Sequence, residues 1–158
     1  MKSVLFVLFL SIVDLISVKP IQDPVYFTVK TVVDGDTFHV YQKNGKYERV
    51  RLIGLDAPEI HDSEHKKGGY YGKEAKMYLN KLINGKKIRL VYDELHYDRY
   101  GRTLAYAYLP DGTFINAKLI INGYAQILTI QPNSKYASYF LKLQKEARDK
   151  RLGLWAKR

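Results

Sequence analysis

The chain contains no cysteine, which excludes disulfide frameworks, thiolate metal centres and cysteine nucleophiles. Any metal must therefore be held by oxygen or imidazole. Acidic side chains are also scarce: 16 Asp and Glu stand against 26 Lys and Arg, a formal charge of +10. That excess favours a polyanionic partner, whether nucleic acid, anionic lipid or acidic polysaccharide. The sequence has no internal repeat, no low-complexity tract and no apolar run of the roughly 20 residues that a spanning helix needs. At 158 residues, 46% of them hydrophobic, it is long enough to fill one core and too short for two.

What is present begins with a leader. Lys2 precedes the apolar run from Val4 to Val13, followed by Asp14, Leu15 and Ile16, a pattern of the length of a signal-peptide core. Residues 1–18 are read as a signal peptide, so the protein is expected to be secreted or extracytoplasmic. Ser17 is small, but Leu15 stands where a small residue is wanted for cleavage, so an uncleaved N-terminal membrane anchor is the alternative. Residues 19–24 read as a linker and 25–158 as the folded domain. Lys2 and Asp14 cancel, so the +10 belongs to the domain.

Within the domain, Val25 to Val33 is rich in β-branched and aromatic residues and stops at Asp34-Gly35-Asp36, a turn cluster. Thr37 to Tyr41 resumes the strand pattern, Asn44-Gly45 signals a hairpin, and Tyr47 to Ile53 alternates with Val50 and Leu52 on one face. From Gly69 onward Ala75, Tyr78, Leu79 and Leu82 share one helix face, closed by Asn84-Gly85. Lys87 to Tyr92 and Leu104 to Leu109 are two further strands. A short helical turn follows at Ala117 to Ile121, and Tyr136, Tyr139, Phe140, Leu143 and Ala147 mark a last helix. Five short strands with a helix between the third and fourth are the element order of an OB-fold. The expected class is thus α+β, mainly β: a five-stranded Greek-key barrel with about three helices.

Three segments carry chemistry. In VVDGDTFHV (32–40), Asp34 and Asp36 flank a glycine at a strand junction; alone this is a hairpin turn. RLIGLDAPE (51–59) runs a strand into Asp56, with Pro58 stiffening the exit and Glu59 one residue beyond, and carboxylates from two strand ends can meet at one barrel rim as a hard-oxygen site suited to calcium. The bland alternative is pairing with neighbouring Arg and Lys on a solvated surface. In DRYGR (98–102), Gly101 permits a turn that aims Arg102 back toward the barrel, and the planar guanidinium fork suits phosphate. Arg51 is a second candidate for the same phosphate. One cation, two arginines and Glu59 suffice for metal-assisted phosphodiester hydrolysis.

VVDGDTFHV, RLIGLDAPE and DRYGRTLAY, in this order and spacing, resemble the signature segments of the staphylococcal nuclease (thermonuclease) family. The likeness extends from about Val25 to Trp155. It implies an OB-fold and calcium-dependent endonucleolytic cleavage of DNA and RNA, with low sequence specificity and 3′-phosphate products. Position by position, Arg51, Glu59 and Arg102 match the catalytic residues, and Asp36 and Asp56 match the calcium-binding carboxylates. Ala57 stands where the family has a threonine; the metal contact there is a backbone carbonyl, which alanine keeps. In Leu128 to Asn133 the two pocket tyrosines of the family are replaced by Leu128 and Ile130, a loss of roughly 1–3 kcal/mol per base contact. A weaker or differently placed base pocket is expected, using Tyr100, with Arg99 beside it, or another of the 14 tyrosines. Gln131-Pro132 falls where the family often has a cis proline.

DNA and RNA, single-stranded by preference, are the expected partners of a monomer that residues 1–18 could tether to a membrane. A non-catalytic nucleic-acid-binding OB-fold module is the alternative, and a surface protein binding acidic polymers a third reading. His61 and His65 stand at the helical spacing of a zinc pair, but Lys66-Lys67-Gly68-Gly69 after them reads as loop. From Lys135 to Arg158, eight Lys or Arg face only Glu146 and Asp149; the run reads as a solvated helix face, with phosphate attraction as a second role. Trp155, Tyr136 and Tyr139 read as core anchors.

Overall fold

Alternation of apolar and polar residues builds the first three strands. In the computed structural model, which describes residues 23–60 and 69–156, β1 (Tyr26–Val32), β2 (Thr37–Tyr41) and β3 (Tyr47–Leu52) form an antiparallel meander. Val29, Val40, Val50 and Leu52 point inward and are buried, while Tyr41, Tyr47 and Arg49 face solvent. The leader, the first part of the linker and the pair His61 and His65 lie outside the described residues. Among the described residues no helix is long and apolar enough to cross a membrane.

β5 (Lys87–Val91) and β6 (Thr103–Tyr108) complete a closed barrel of order β1-β2-β3-β6-β5, in which only the β3–β6 pairing is parallel. The five expected strands are thus the five barrel strands, and the fold is an OB-fold. Two three-residue strands were not expected. β4 (Gly54–Asp56) leaves β3 directly and pairs with β7 (Gln126–Leu128) as a separate ribbon. At Gly54 the backbone turns left-handed, φ +82°, and a Cβ would fall 2.6 Å from the Phe140 ring, so β4 passes that ring at a distance only glycine permits.

The three helices seal the barrel. α1 (Gly72–Ile83) buries Ala75, Leu79 and Ile83. It starts three residues after Gly69, because Tyr71 takes a left-handed conformation at its N-cap. α2 (Ile115–Ile121) begins two residues before the expected turn. α3 (Ala137–Asp149) buries Phe140 and Ala147 and also Gln144, whose Oε1 accepts from Ile127 N–H at 2.7 Å. Tyr136 is half-buried, but Tyr139 is 45% exposed and is no core anchor, because it lies on the solvent side of Phe140. Trp155 is half-buried under the Arg148 guanidinium, 4.2 Å away.

One polar residue inside the core locks α2 to the barrel. Asn116 is fully buried; its Oδ1 accepts from Ala107 N–H at 3.0 Å and its Nδ2 donates to the Ile53 carbonyl at 2.9 Å. Both backbone groups would be orphaned by Asn116→Ala, at about 2–4 kcal/mol for the pair. Urea unfolding of that variant should show the loss as a lower midpoint at unchanged slope. A midpoint equal to wild type would mean that the bridge contributes nothing.

Candidate active site

Arg51 occupies an outward position of β3, between the inward Val50 and Leu52, opposite Thr37 of β2 and Leu104 of β6. Its guanidinium therefore lies at the barrel rim, where the Asp34–Asp36 turn and the start of β4 converge. One Nη makes an ion pair with Asp36; the other donates to Asp56 Oδ1 at 2.8 Å and to the Leu55 carbonyl at 3.3 Å. Asp36 is only 3% exposed and is fully engaged: Oδ1 accepts from the Thr37 hydroxyl and Oδ2 from Ala57 N–H, both at 2.9 Å. Asp34 accepts from Asp36 N–H at 3.1 Å. Burial raises the pKa of its carboxyl, against the pull of Arg51.

The second wall is a tight loop between β5 and β6. Asp98 Oδ1 accepts from Tyr100 N–H at 2.9 Å and from Arg102 N–H at 3.0 Å, while Oδ2 takes the Arg102 Nε at 2.6 Å. Gly101 closes the turn with φ +73°, as its place in DRYGR suggests. Burial alone would raise the Asp98 carboxyl, but the bonds from Arg102 and Tyr100 outweigh it and hold the group below its ordinary value. With Nε fixed, the Nη groups of Arg102 have no hydrogen-bond or ion-pair partner among the described residues. Tyr100 is 67% exposed, with Arg99 and Arg102 over its ring at 4.8 and 5.5 Å and Arg99 donating to its hydroxyl at 2.6 Å.

The two walls bound one groove of about 390 Å³, lined by Arg51, Asp56, Arg99, Tyr100 and Arg102. Its remaining side is apolar, formed by Leu95, Leu128 and Ile130. Asn133 fixes that side by a reciprocal pair of 2.8 Å hydrogen bonds to the backbone of Leu95, just after the cis Gln131-Pro132 bond. Leu128 and Ile130 are 40% and 64% exposed: they offer aliphatic contact where rings are absent. Glu59 follows Asp56 by three residues and is half-buried; its carbonyl accepts from Gly69 N–H at 2.9 Å.

Of the eight residues singled out in the sequence, five line the groove. Asp36 joins them through Arg51, and Ala57 through its bond to Asp36. Asp98, in the motif but given no role, is what orients Arg102. The available signal was the motif itself, since Asp at the head of such a turn characteristically bonds backbone N–H groups two or more residues on. Among the described residues no three His, Asp or Glu side chains come together as a metal-holding group. The carboxylates of Asp36 and Asp56, gathered on one guanidinium, form an oxygen-only pair whose chemistry fits a hard cation and not a thiophilic one.

Comparison with known proteins agrees with this geometry. The profile of the family described as staphylococcal nuclease homologue matches residues 49–157, a span holding Arg51, Asp56, Glu59 and Arg102. The thermonuclease of Staphylococcus intermedius is 43% identical over 129 residues, covering 82% of this chain and 75% of that protein. The thermonuclease of Staphylococcus hyicus is 38% identical over 130 residues with the same coverage. Endonuclease YncB of Bacillus subtilis is 34% identical over 132 residues, 82% of this chain and 61% of that protein. The chain belongs to the staphylococcal nuclease family, and with it to the hydrolytic nucleases.

Proposed function

We propose that the protein is a calcium-dependent endonuclease that hydrolyses phosphodiester bonds of DNA and RNA, single strands by preference, and leaves 3′-phosphate ends. The observation that carries this reading is the convergence of Arg51, from β3, and Arg102, from the β5–β6 loop, on one groove with Asp56 at its edge. Arg102 brings a guanidinium fork held, among the described residues, only through Nε. Arg51 brings a second one, whose Nη groups pair here with Asp36 and Asp56 and would turn to phosphate once those carboxylates bind the cation. Two such forks suit a tetrahedral phosphate with several anionic oxygens.

The roles follow from charge and position. Arg51 and Arg102 bind the non-bridging phosphate oxygens and neutralise the charge that grows there in the transition state. Glu59 accepts the proton of the attacking water. Asp36, Asp56 and the Ala57 carbonyl would hold Ca²⁺, which when bound supplies Lewis-acid polarisation of a phosphoryl oxygen. Tyr100 and Arg99 contact the strand at the outer edge of the groove. Since the centre grips phosphate and its apolar wall makes no directional hydrogen bonds, the enzyme reads little sequence. Export, or tethering, through residues 1–18 and action as a monomer complete the reading.

Cleavage of single-stranded DNA and of RNA should require Ca²⁺ and stop with excess chelator; binding without cleavage in both conditions would favour a non-catalytic OB-fold module. Glu59→Gln should lower turnover by about 10²–10⁴-fold at little change in KM, and unchanged turnover would remove Glu59 from the chemistry. Arg102→Lys should cost about 10²-fold, since a point charge does not replace the fork.

Asp98 is the positioning residue for Arg102, and its lowered pKa gives it a distinct signature. Its ionised form stabilises the fold at pH above its ordinary value of 3.8, and that stability is lost as pH falls through the lower folded-state value. The gap in urea midpoint between wild type and Asp98→Ala should therefore be constant above about pH 4 and close at lower pH. A gap independent of pH would mean that the carboxylate charge plays no part.

A further inference from the structure

A second concavity, of about 650 Å³, runs along α1 and is lined by Tyr71, Tyr78 and Tyr124 with Lys81 and Lys86; among the described residues Glu74 is the one acidic side chain on it. The Tyr78 and Tyr124 rings stack at 4.0 Å and 15°, and Tyr124 stacks in turn with Tyr71 at 5.5 Å and 27°. Asn122 Nδ2 donates to the Tyr78 hydroxyl at 3.2 Å and so fixes one end of the stack. Tyr70, 47% exposed, leans on Tyr71 at 5.6 Å from the other end.

Tyr78 and Tyr124 pack against the core, yet three features distinguish this surface. Tyr71 holds φ 76°, ψ 7°, a left-handed conformation that bulky residues avoid and that persists only where its surroundings fix it. The groove also starts beside the active site, because the turn leading into α1 is bonded to it from Gly69 N–H to the Glu59 carbonyl at 2.9 Å. Finally, its lysines are exposed and line the same concavity as the three half-buried rings, so aromatic and cationic groups share one surface. That pairing suits a single strand: every base has a face to stack, and every phosphate seeks a cation.

We propose that this tyrosine groove is a second binding site for single-stranded nucleic acid, with bases against Tyr70 and the Tyr71–Tyr124–Tyr78 stack and phosphates on Lys81 and Lys86. It rests on the phosphodiesterase reading above and says where the strand continues beyond the cleaved bond. Long substrates reach it and dinucleotides do not.

The test is steady-state cleavage of a dinucleotide and of a 20-nucleotide oligothymidylate by wild type, Tyr70→Ser/Tyr124→Leu and Lys81→Gln/Lys86→Gln. The tyrosine variant should raise KM for the 20-mer about tenfold per lost base contact. The lysine variant, altered only at exposed side chains, should make the log–log salt dependence of 20-mer binding shallower by about 1.4 for two phosphates. Dinucleotide kinetics should be unchanged in both. Unchanged 20-mer behaviour in the lysine variant, or equal losses on both substrates, overturns the proposal. Self-association that vanishes in the tyrosine variant at constant KM assigns the groove to a second copy instead. If wild type cleaves neither substrate, the phosphodiesterase reading falls; an equal Kd of wild type and lysine variant for labelled 20-mer, by fluorescence anisotropy, then overturns the groove independently.

Discussion

The guanidinium of Arg51 joins three segments that the chain brings together from different directions. It reaches Asp36 in the turn before β2, and Asp56 and the Leu55 carbonyl in β4. Asp36 is nearly as buried as the core around it, and a carboxylate so placed is tolerated only if paired and hydrogen-bonded. Arg51 supplies the charge; Thr37 and Ala57 N–H supply the bonds. Removing Arg51 leaves the buried charge uncompensated, and removing either hydrogen bond leaves one of its oxygens short of a donor, so the rim of the barrel and the geometry of the site are specified by the same contacts.

The two arginines of the groove are held in opposite ways, and the difference bears on what each can do. Arg51 is engaged through both Nη groups by carboxylates. Arg102, which also lines the groove, is gripped through Nε alone, and its Nη groups have no hydrogen-bond or ion-pair partner among the described residues. Asp98 thus orients a cation without occupying the atoms that face a ligand. It can do so because three N–H donors meet its two oxygens, which keeps it ionised and out of competition for protons.

Much of this was legible in the sequence, and the parts that were not share a physical cause. β-branched and aromatic runs, with alternation in Tyr47 to Ile53, identified the five barrel strands, and Asn44-Gly45 and Gly85 marked real reversals, with Gly45 and Gly85 at positive φ. The β4–β7 ribbon escaped because three residues are too short to show a period and Gly54 interrupts the pattern. Tyr139 fits the helical spacing of Phe140 and Leu143 yet faces solvent: an aromatic at the edge of an apolar stripe has no signal for which side it takes. The site residues were named from three motifs, and the structure places five of them on one groove. What the motifs could not display was the division of labour between Asp34, Asp36 and Asp98, which depends on burial and on which donors approach, both set by tertiary packing.

The substitution of aliphatic residues at positions 128 and 130 has a consequence for how such a surface holds a strand. Leu128 and Ile130 keep the groove apolar on one side but give a base no ring to stack on, so affinity at the centre must come mainly from phosphate. Phosphate contacts are salt-sensitive and blind to sequence. Stacking is less salt-sensitive and equally tolerant of sequence. In this chain the groove keeps one exposed ring, Tyr100, and a stack of three more lies along α1, whose approach is bonded through Gly69 N–H to the Glu59 carbonyl. If the α1 groove binds strand as proposed, a surface with the arginine grip and the aromatic platform separated would hold long strands better than short ones without gaining any preference for particular bases. The net charge of +10 then draws any polyanion toward both.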